Sequence, residues 1–85
     1  MFSKKKDLLF VFRKEQRIGL HMCFVFFPID VLFLDSEGVI VDIKKNFKPF
    51  TFYTSKKKAK YVLELCDNKK EYEIGEKIDL MERFK

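Results

Sequence analysis

The stretch HMCFVFFPIDVLFL, His21 to Leu34, is almost entirely apolar and constrains the fold more than any other segment of the chain. From Ile18 to Leu34 the apolar region is 17 residues long, which is the lower limit for a membrane-spanning helix. A carboxylate at Asp30 would be costly inside a bilayer, and Pro28 would break or kink a helix. The Phe, Val and Ile residues favour strands. We therefore predict two buried strands that meet near Pro28, and no membrane span.

The clearest local pattern is the DSEG sequence that follows this stretch. Asp35 suits the first position of a type I turn, and Gly38 at the fourth position can take a positive φ as a bulge. Apolar residues flank the turn on both sides. The pattern predicts a β-hairpin in which Val39, Val41 and Ile43 alternate against the preceding strand.

Strand-like segments also occur before and after the hairpin. Asn68 with Glu71 three residues later is a weak capping-box pattern for one helical turn, and Gly75 indicates a further turn. The remaining strand candidates are Asp7–Phe12, an edge segment at Phe50–Tyr53, Lys60–Cys66 and a closing segment at Lys77–Met81. We predict a single mainly β domain over residues 1–85, a compact antiparallel sandwich or barrel of about six strands with at most one short helical turn.

Composition and charge limit the classes of function. The 85 residues are 47% hydrophobic and include 11 phenylalanines, which allows one small core. The net charge is +5 and most basic residues are lysines, which suits nucleic acid, anionic lipid or simple solubility. Cys23 and Cys66 are too few for a disulfide framework, and the apolar run Leu8–Phe12 is too short for a signal peptide. We expect a cytoplasmic protein.

The ordered set of motifs resembles the DUF 192 family of archaeal and bacterial proteins. That family carries an LFVF strand, an aromatic-Met segment, a PLD hairpin, a proline-bearing loop, a YVLEL strand and a closing GI segment. The matching segments here are Leu9–Phe12, Leu20–Met22, Pro28–Asp35 with Gly38, Pro49 with Tyr53 and Ser55, Ala59 with Tyr61–Leu65, and Ile74–Ile78. The resemblance implies a compact, mainly β fold and no established activity.

The chain also departs from the family pattern. The opening strands have no counterpart, so we expect a short, N-terminally truncated member. The family's polar WMKNT segment is replaced by His21–Val25, and the AG.A segment after YVLEL is replaced by Cys66–Lys69. These replacements remove much of what a family site would contain.

Three polar residues form a candidate site for a small polar ligand or a partner protein: His21, Asp30 and Glu64. Asp30 is conspicuous because a buried carboxylate must be paired or neutralised. The structural alternative, which we favour, is that Asp30 accepts backbone N–H bonds at a tight turn. Glu64 is expected to face outward, although it could face inward and pair with a lysine.

Neither metal binding nor catalysis is expected. His21 and Cys23 lie on one face of a strand, but the chain has no CxxC or HxxxH spacing for a metal and no evident oxyanion donors. We therefore predict a non-catalytic protein without a cofactor, either a monomer or a homodimer.

The alternative function is nucleic-acid binding through the Phe47–Lys60 segment. Its lysines are interleaved with Phe47, Phe50, Phe52 and Tyr53, an arrangement that offers base stacking beside cations. Arginine, the residue preferred for phosphate forks and base reading, is scarce, so a merely solvated face is the commoner explanation. The residues assigned to this interface are Lys44, Lys45, Lys48, Phe50, Tyr53, Lys56, Lys57 and Lys58.

Overall fold

The computed structural model describes residues 7–21, 29–48, 51–66 and 70–80, with His21 described by its backbone alone. Six strands occur in this part of the chain, and the mainly β prediction is confirmed. The strands are β1 (Leu8–Gln16), β2 (Gly19–His21), β3 (Ile29–Leu34), β4 (Ile40–Phe47), β5 (Phe52–Thr54) and β6 (Ala59–Leu65).

The strands form two antiparallel sheets. The larger sheet has the order β1-β6-β3-β4, and the smaller one pairs β2 with β5. Strand β3 lies inside the larger sheet and is buried on both faces, since Val31 and Phe33 contribute to one core and Leu32 and Leu34 to the other. This explains why its sequence is a continuous apolar run rather than an alternating one.

A separate apolar core covers each face of the larger sheet. The β2–β5 ribbon packs over the first core, to which it contributes Leu20 and Tyr53. Residues 70–80 pack over the second core, to which they contribute Tyr72 and Ile78. Three backbone bonds fix this segment. Ile40 N–H donates to the Glu76 carbonyl (2.8 Å), Gly75 N–H donates to the Ile40 carbonyl (2.8 Å), and Ile78 N–H donates to the Gly38 carbonyl (2.9 Å).

The predicted turn between β3 and β4 is present. Gly38 N–H donates to the Asp35 carbonyl (3.0 Å), and Gly38 has a φ of 84°. The Asp35 carboxylate accepts the N–H groups of Glu37 (2.8 Å) and Val39 (3.0 Å). The turn therefore relies on one aspartate and one glycine, as its sequence indicates.

The predicted alternation of Val39, Val41 and Ile43 is wrong. Phe33 pairs with Asp42 but Leu34 pairs with Ile40, so Val41 is an extra residue in β4. A bulge of this kind reverses the alternation on one side. As a result Ile40 and Ile43 contribute to the second core, and Asp42 lies on the face of Phe33.

The closing part of the chain also differs from its prediction. Lys77 makes one isolated bridge to Val39 instead of starting a strand, and residues 71–73 have no helical turn. The turn at Gly75 is present, with a φ of 98°. Asn68 and the stretch around Pro28 lie outside the described residues. Within the described ranges, no helix is long and apolar enough to cross a membrane.

Candidate functional site

A groove of about 370 Å³ lies beside the end of β4, and we call it the lysine groove. Its lining combines ammonium groups, small polar groups and one phenyl ring. The lining residues are Lys44, Lys45, Asn46, Lys48, Thr51 and Phe52. Three of the lysines assigned to a nucleic-acid interface from the sequence, Lys44, Lys45 and Lys48, are thus brought together by the fold.

A second bulge in β4 shapes this groove. Val31 pairs with Lys44 and Ile29 pairs with Phe47, so Lys45 and Asn46 stand opposite the single residue Asp30. Asn46 takes a φ of 53°, a left-handed conformation that asparagine tolerates better than most residues. The Asp30 carboxylate accepts the Asn46 N–H at 2.9 Å.

The Asp30 carboxylate therefore binds a backbone N–H, which was the favoured interpretation of this residue. The bond is made at a bulge of the neighbouring strand. The turn expected after Pro28 lies outside the described residues. Its position at the bulge means that Asp30 helps to fix the backbone from which the groove lysines project.

Of the four aromatic residues expected to form a stacking platform, the described ones divide into two kinds. Phe47 is fully buried. Tyr53 packs edge-on and tilted against Phe47 and Phe33, with ring centroids 6.4 and 5.8 Å apart. Phe52 is instead 66% exposed, because alternate residues of β5 face opposite sides of the ribbon. Phe50 lies outside the described residues, and among the rings of this segment that are described Phe52 is the exposed one.

A glycine in the neighbouring strand makes room for the Phe52 ring. Gly19 pairs with Thr54 in the β2–β5 ribbon. A Cβ atom placed on Gly19 would lie 3.1 Å from the Cζ atom of Phe52. The ring therefore lies over bare backbone, and a larger residue at position 19 would displace it.

Two of the groove lysines have specific partners. The Nζ atom of Lys44 lies 5.5 Å from the centroid of the Tyr53 ring, within cation–π range. The Nζ atom of Lys45 donates to the Glu71 carboxylate at 2.6 Å, and this hydrogen bond and the charge of Glu71 raise the pKa of Lys45. Both side chains of the Lys45–Glu71 pair are largely exposed, so the pair stabilises the fold little.

Asp42 is the buried charged residue that sequence reasoning missed. Its carboxylate accepts the Tyr53 hydroxyl (2.7 Å), the Lys56 N–H (2.8 Å) and the N–H of Ile43 (2.9 Å). Burial, followed by the hydrogen bond to Asp42 and its negative charge, raises the pKa of Tyr53 to about 12. Asp42 thus ties strand β5, and with it the Phe52 ring, to the larger sheet.

The second lysine cluster, Lys56–Lys58, does not line the groove. Its loop is fixed by Ser55, a buried residue whose hydroxyl accepts the Ile18 N–H (2.9 Å) and donates to the Lys57 carbonyl (2.9 Å). The three side chains of the cluster are exposed. The interface predicted from the sequence therefore divides into the lysine groove and a separate, exposed loop.

The described side chains of the candidate ligand site, Asp30 and Glu64, lie on opposite faces of the larger sheet. Asp30 pairs with Leu65 on the face of the second core, whereas Glu64 pairs with Val31 on the face of the first core. The structure thus separates Asp30 from Glu64 by the thickness of the sheet. His21 ends β2, where its backbone pairs with Phe52.

Glu64 does not have the fully exposed position that we expected. It shares its face of the sheet with Val62, which is completely buried, because residues two apart on a strand point the same way. The carboxylate is half-buried, and this desolvation raises its pKa.

A larger depression of about 570 Å³ lies between the β3–β4 turn and residues 77–80. Its charged lining residues are Glu37, Lys77 and Asp79, so it offers no consistent sign of charge to a ligand. Among the described residues, no group of three His, Cys, Asp or Glu side chains is placed to hold a metal ion. Cys66 is partly buried and packs against the first core.

A family model described as "Uncharacterized ACR, COG1430" matches residues 1–79 of the chain. The chain belongs to the DUF192 family. Its hairpin motif can now be read from the structure: Asp30 fixes the Asn46 bulge, and Asp35 with Gly38 forms the turn. These motif residues shape the β3–β4 hairpin, on which three of the groove residues lie.

Curated relatives of this DUF192 chain come from archaea and are named UPF0127 proteins. The one from Thermococcus sibiricus is 40% identical over 77 residues, which is 85% of this chain and 49% of that protein. The one from Pyrococcus abyssi is 42% identical over 59 residues, covering 67% of this chain and 50% of that protein. The one from Pyrococcus horikoshii is 38% identical over 84 residues, covering 92% and 72%. The DUF192 chain spans about half the length of the first two.

A solved structure with a similar fold comes from Sinorhizobium meliloti. That protein is described as a "putative transcription regulator" and is 32% identical to the DUF192 chain. The match covers 71% of this chain and 48% of that one, with a TM-score of 0.67. It supports the mainly β architecture described above.

Proposed function

We propose that this DUF192 domain is a non-catalytic binding module whose lysine groove binds single-stranded nucleic acid. One observation carries the proposal. Lys44, Lys45 and Lys48 surround the same concavity as the exposed ring of Phe52. Cations for the phosphate backbone beside a ring for a base are the two components of sequence-tolerant single-strand binding.

The chemistry of the groove favours this ligand over a folded duplex. A groove of about 370 Å³ accommodates a unit of the size of a nucleotide, not a helix. Lysines contact phosphates as point charges and lack the planar fork with which arginine reads a base edge, so binding should depend little on sequence. The description of the Sinorhizobium meliloti protein as a "putative transcription regulator" adds support from a relative.

The number of groove lysines gives an expected salt dependence. If three phosphates are neutralised, a plot of the logarithm of the association constant against the logarithm of the salt concentration should have a slope of about −2. Between about 50 and 200 mM salt, the affinity should then fall about 20-fold. Because Glu71 partly neutralises Lys45, this fold-change is the largest that we expect.

The proposal can be tested by fluorescence anisotropy of a labelled oligothymidylate at several salt concentrations. The test variant replaces Lys44, Lys45 and Lys48 together by glutamine, and the matched control replaces Lys56, Lys57 and Lys58 in the same way. The groove variant should lose the salt dependence, and the loop variant should keep most of it. Equal losses in both variants, or no binding by the wild-type chain, would overturn the proposal.

The contribution of the ring can be measured separately. Stacking of a base on an aromatic side chain is worth about 1–3 kcal/mol, so Phe52→Ala should weaken binding at least about five-fold. Phe10→Ala is the matched control, because Phe10 is also exposed (42%) but lies on the opposite edge strand. An unchanged affinity for Phe52→Ala would reduce the groove to a simple charged surface.

A second candidate function is recognition of a small polar ligand or a partner protein near Glu64. It is favoured by the half-burial of this carboxylate and by the resulting rise of its pKa. Asp30 lies on the other face of the sheet, so the two carboxylates cannot contact the same small ligand. Binding that is insensitive to salt and lost in Glu64→Gln would support this candidate over the groove.

A further inference from the structure

Strand β1 exposes an apolar surface that the core does not use. Leu8 is 48% exposed, Phe10 42% and Val11 62%. In the described sheet, β1 is an outer strand, since its pairing partner is β6. The exposed side chains therefore lie along a strand edge whose outward N–H and C=O groups can bond to another strand.

The two edges of the sheet are very different. The other outer strand, β4, carries Lys44 and Lys45, and charged lysines are a common way to prevent edge-to-edge pairing. Strand β1 has an uninterrupted apolar run from Leu8 to Phe12 before its first charge at Arg13. The protection seen on β4 is thus missing where β1 begins.

The sequence of β1 is suited to pairing with itself. Along a strand, the N–H and C=O groups of successive residues point alternately to one edge and to the other. When two identical strands pair antiparallel through the same edge, residues opposite each other must both point outward or both point inward. A two-fold axis between the strands therefore passes through a residue and not between two residues. A centre at Phe10 places Leu8 opposite Phe12 and Leu9 opposite Val11, so that each apolar residue faces another. Centres at Leu9 or Val11 instead place a charged residue opposite an apolar one.

We infer that β1 pairs with β1 of a second copy of the chain, about a two-fold axis at Phe10. The two four-stranded sheets then join into one continuous sheet of eight strands. Positions 8–11 already pair regularly with β6, so the strand is preformed for this contact. The joint is a single strand pair, smaller than a standard interface of about 1,600 Å², so we expect a dimer that exchanges with the monomer. The lysine groove lies at the far edge of each sheet, and its function does not depend on the dimer.

The oligomeric state tests this inference. Sedimentation equilibrium over a range of concentrations should show a monomer–dimer exchange in the wild-type chain. Val11→Lys should raise the dissociation constant at least tenfold. Ile74→Lys is the matched control, since Ile74 is equally exposed (65%) but lies in a turn of the 70–80 segment, and it should change the constant less than twofold.

A cross-linking experiment tests the register without relying on Val11→Lys. Directly opposite residues have Cα atoms about 4.5–5.5 Å apart, within disulfide range, whereas residues diagonal to each other are about 7–8 Å apart. Under mild oxidation, Phe10→Cys should give a disulfide between two copies of position 10, identified by peptide mass. Val11→Cys should not link to itself. A monomer at all concentrations, or equal cross-linking of both variants, would overturn the inference.

Discussion

Replacement of Asp42 by alanine tests how the exposed ring and the groove are held to the core. The change leaves the two donors outside β4, the Tyr53 hydroxyl and the Lys56 N–H, without their acceptor (2.7 and 2.8 Å). A hydrogen bond to a charged group is worth about 1.5–3 kcal/mol. Both bonds are only partly buried, so the lower end applies and the loss should be about 3 kcal/mol.

This loss is large for a chain of 85 residues. At about 0.05–0.15 kcal/mol per residue, the whole stability amounts to roughly 4–13 kcal/mol. With an m-value of about 1–1.5 kcal/mol/M for a small protein in urea, the unfolding midpoint should fall by about 2–3 M. Equilibrium urea unfolding at one fixed protein concentration measures this shift.

Two milder variants divide this loss. Tyr53→Phe removes one of the two bonds, so it should cost about half as much as Asp42→Ala. Both bonds end on the same carboxylate oxygen, so Asp42→Asn can keep both and remove only the negative charge. Because neutral hydrogen bonds are about half as strong as charge-assisted ones, this variant should also cost about half as much. Glu37→Gln, an acid-to-amide change at an exposed position, should stay within about 0.5 kcal/mol of the wild type. An Asp42→Ala variant as stable as this control would show that the carboxylate does not hold the ribbon.

Three further variants or titrations follow from the same contacts. Glu64→Gln should stabilise the chain at neutral pH, because burial raises the pKa of Glu64 above its usual 4.5 and the folded chain is therefore penalised for carrying this charge. The penalty is full above the folded pKa and absent below 4.5, so the gain in stability, measured by thermal unfolding, should vanish in acid. Absorbance titration should show Tyr53 ionising near a pKa of about 12, and Asp42→Asn should lower that value; an unchanged titration would contradict the assigned bond. Gly38→Ala should lower the free energy of unfolding by about 1–3 kcal/mol, because its Cβ would lie 2.9 Å from the Ile78 carbonyl oxygen. Gly75→Ala, with open space around it, should lower it less, and equal midpoints in urea for the two variants would exclude the contact.

The parts of the fold that were predictable depend on local sequence. The β3–β4 turn follows from Asp35 and Gly38, whose conformational preferences act within four residues. Strand β3 follows from an apolar run too interrupted by Pro28 and Asp30 to be a helix. Strand β6 follows from the same kind of run, and both strands are buried in the structure.

The parts that were not predictable depend on register. The burial of Asp42 and the reversal of Val41 follow from one extra residue in β4, which the alternation of the sequence does not reveal. The burial of Glu64 depends on the strand that pairs with β6, because Glu64 lies opposite Val31 on the face of the first core. A polar residue in an apolar strand was taken to mark the solvent side, but β6 is an inner strand and is covered on both faces.

The candidate site was predicted in composition but not in shape. The lysines and aromatic residues of the Phe47–Lys60 segment were recognised as a group. Which of them are exposed depends on the pairing of β5 with β2, which turns Tyr53 inward and leaves Phe52 outside. The Phe52 ring lies over the backbone of Gly19, which is 33 positions away in the sequence, so no local pattern indicates this contact.

The most direct test of the lysine groove is a heteronuclear NMR titration of the labelled chain with a short single-stranded oligonucleotide at low and moderate salt. We predict shifts concentrated at Lys44, Lys45, Asn46, Lys48, Thr51 and Phe52 that fade as the salt concentration rises. Absence of shifts, or shifts that persist unchanged in high salt or centre on Glu64, would contradict nucleic-acid binding through this groove.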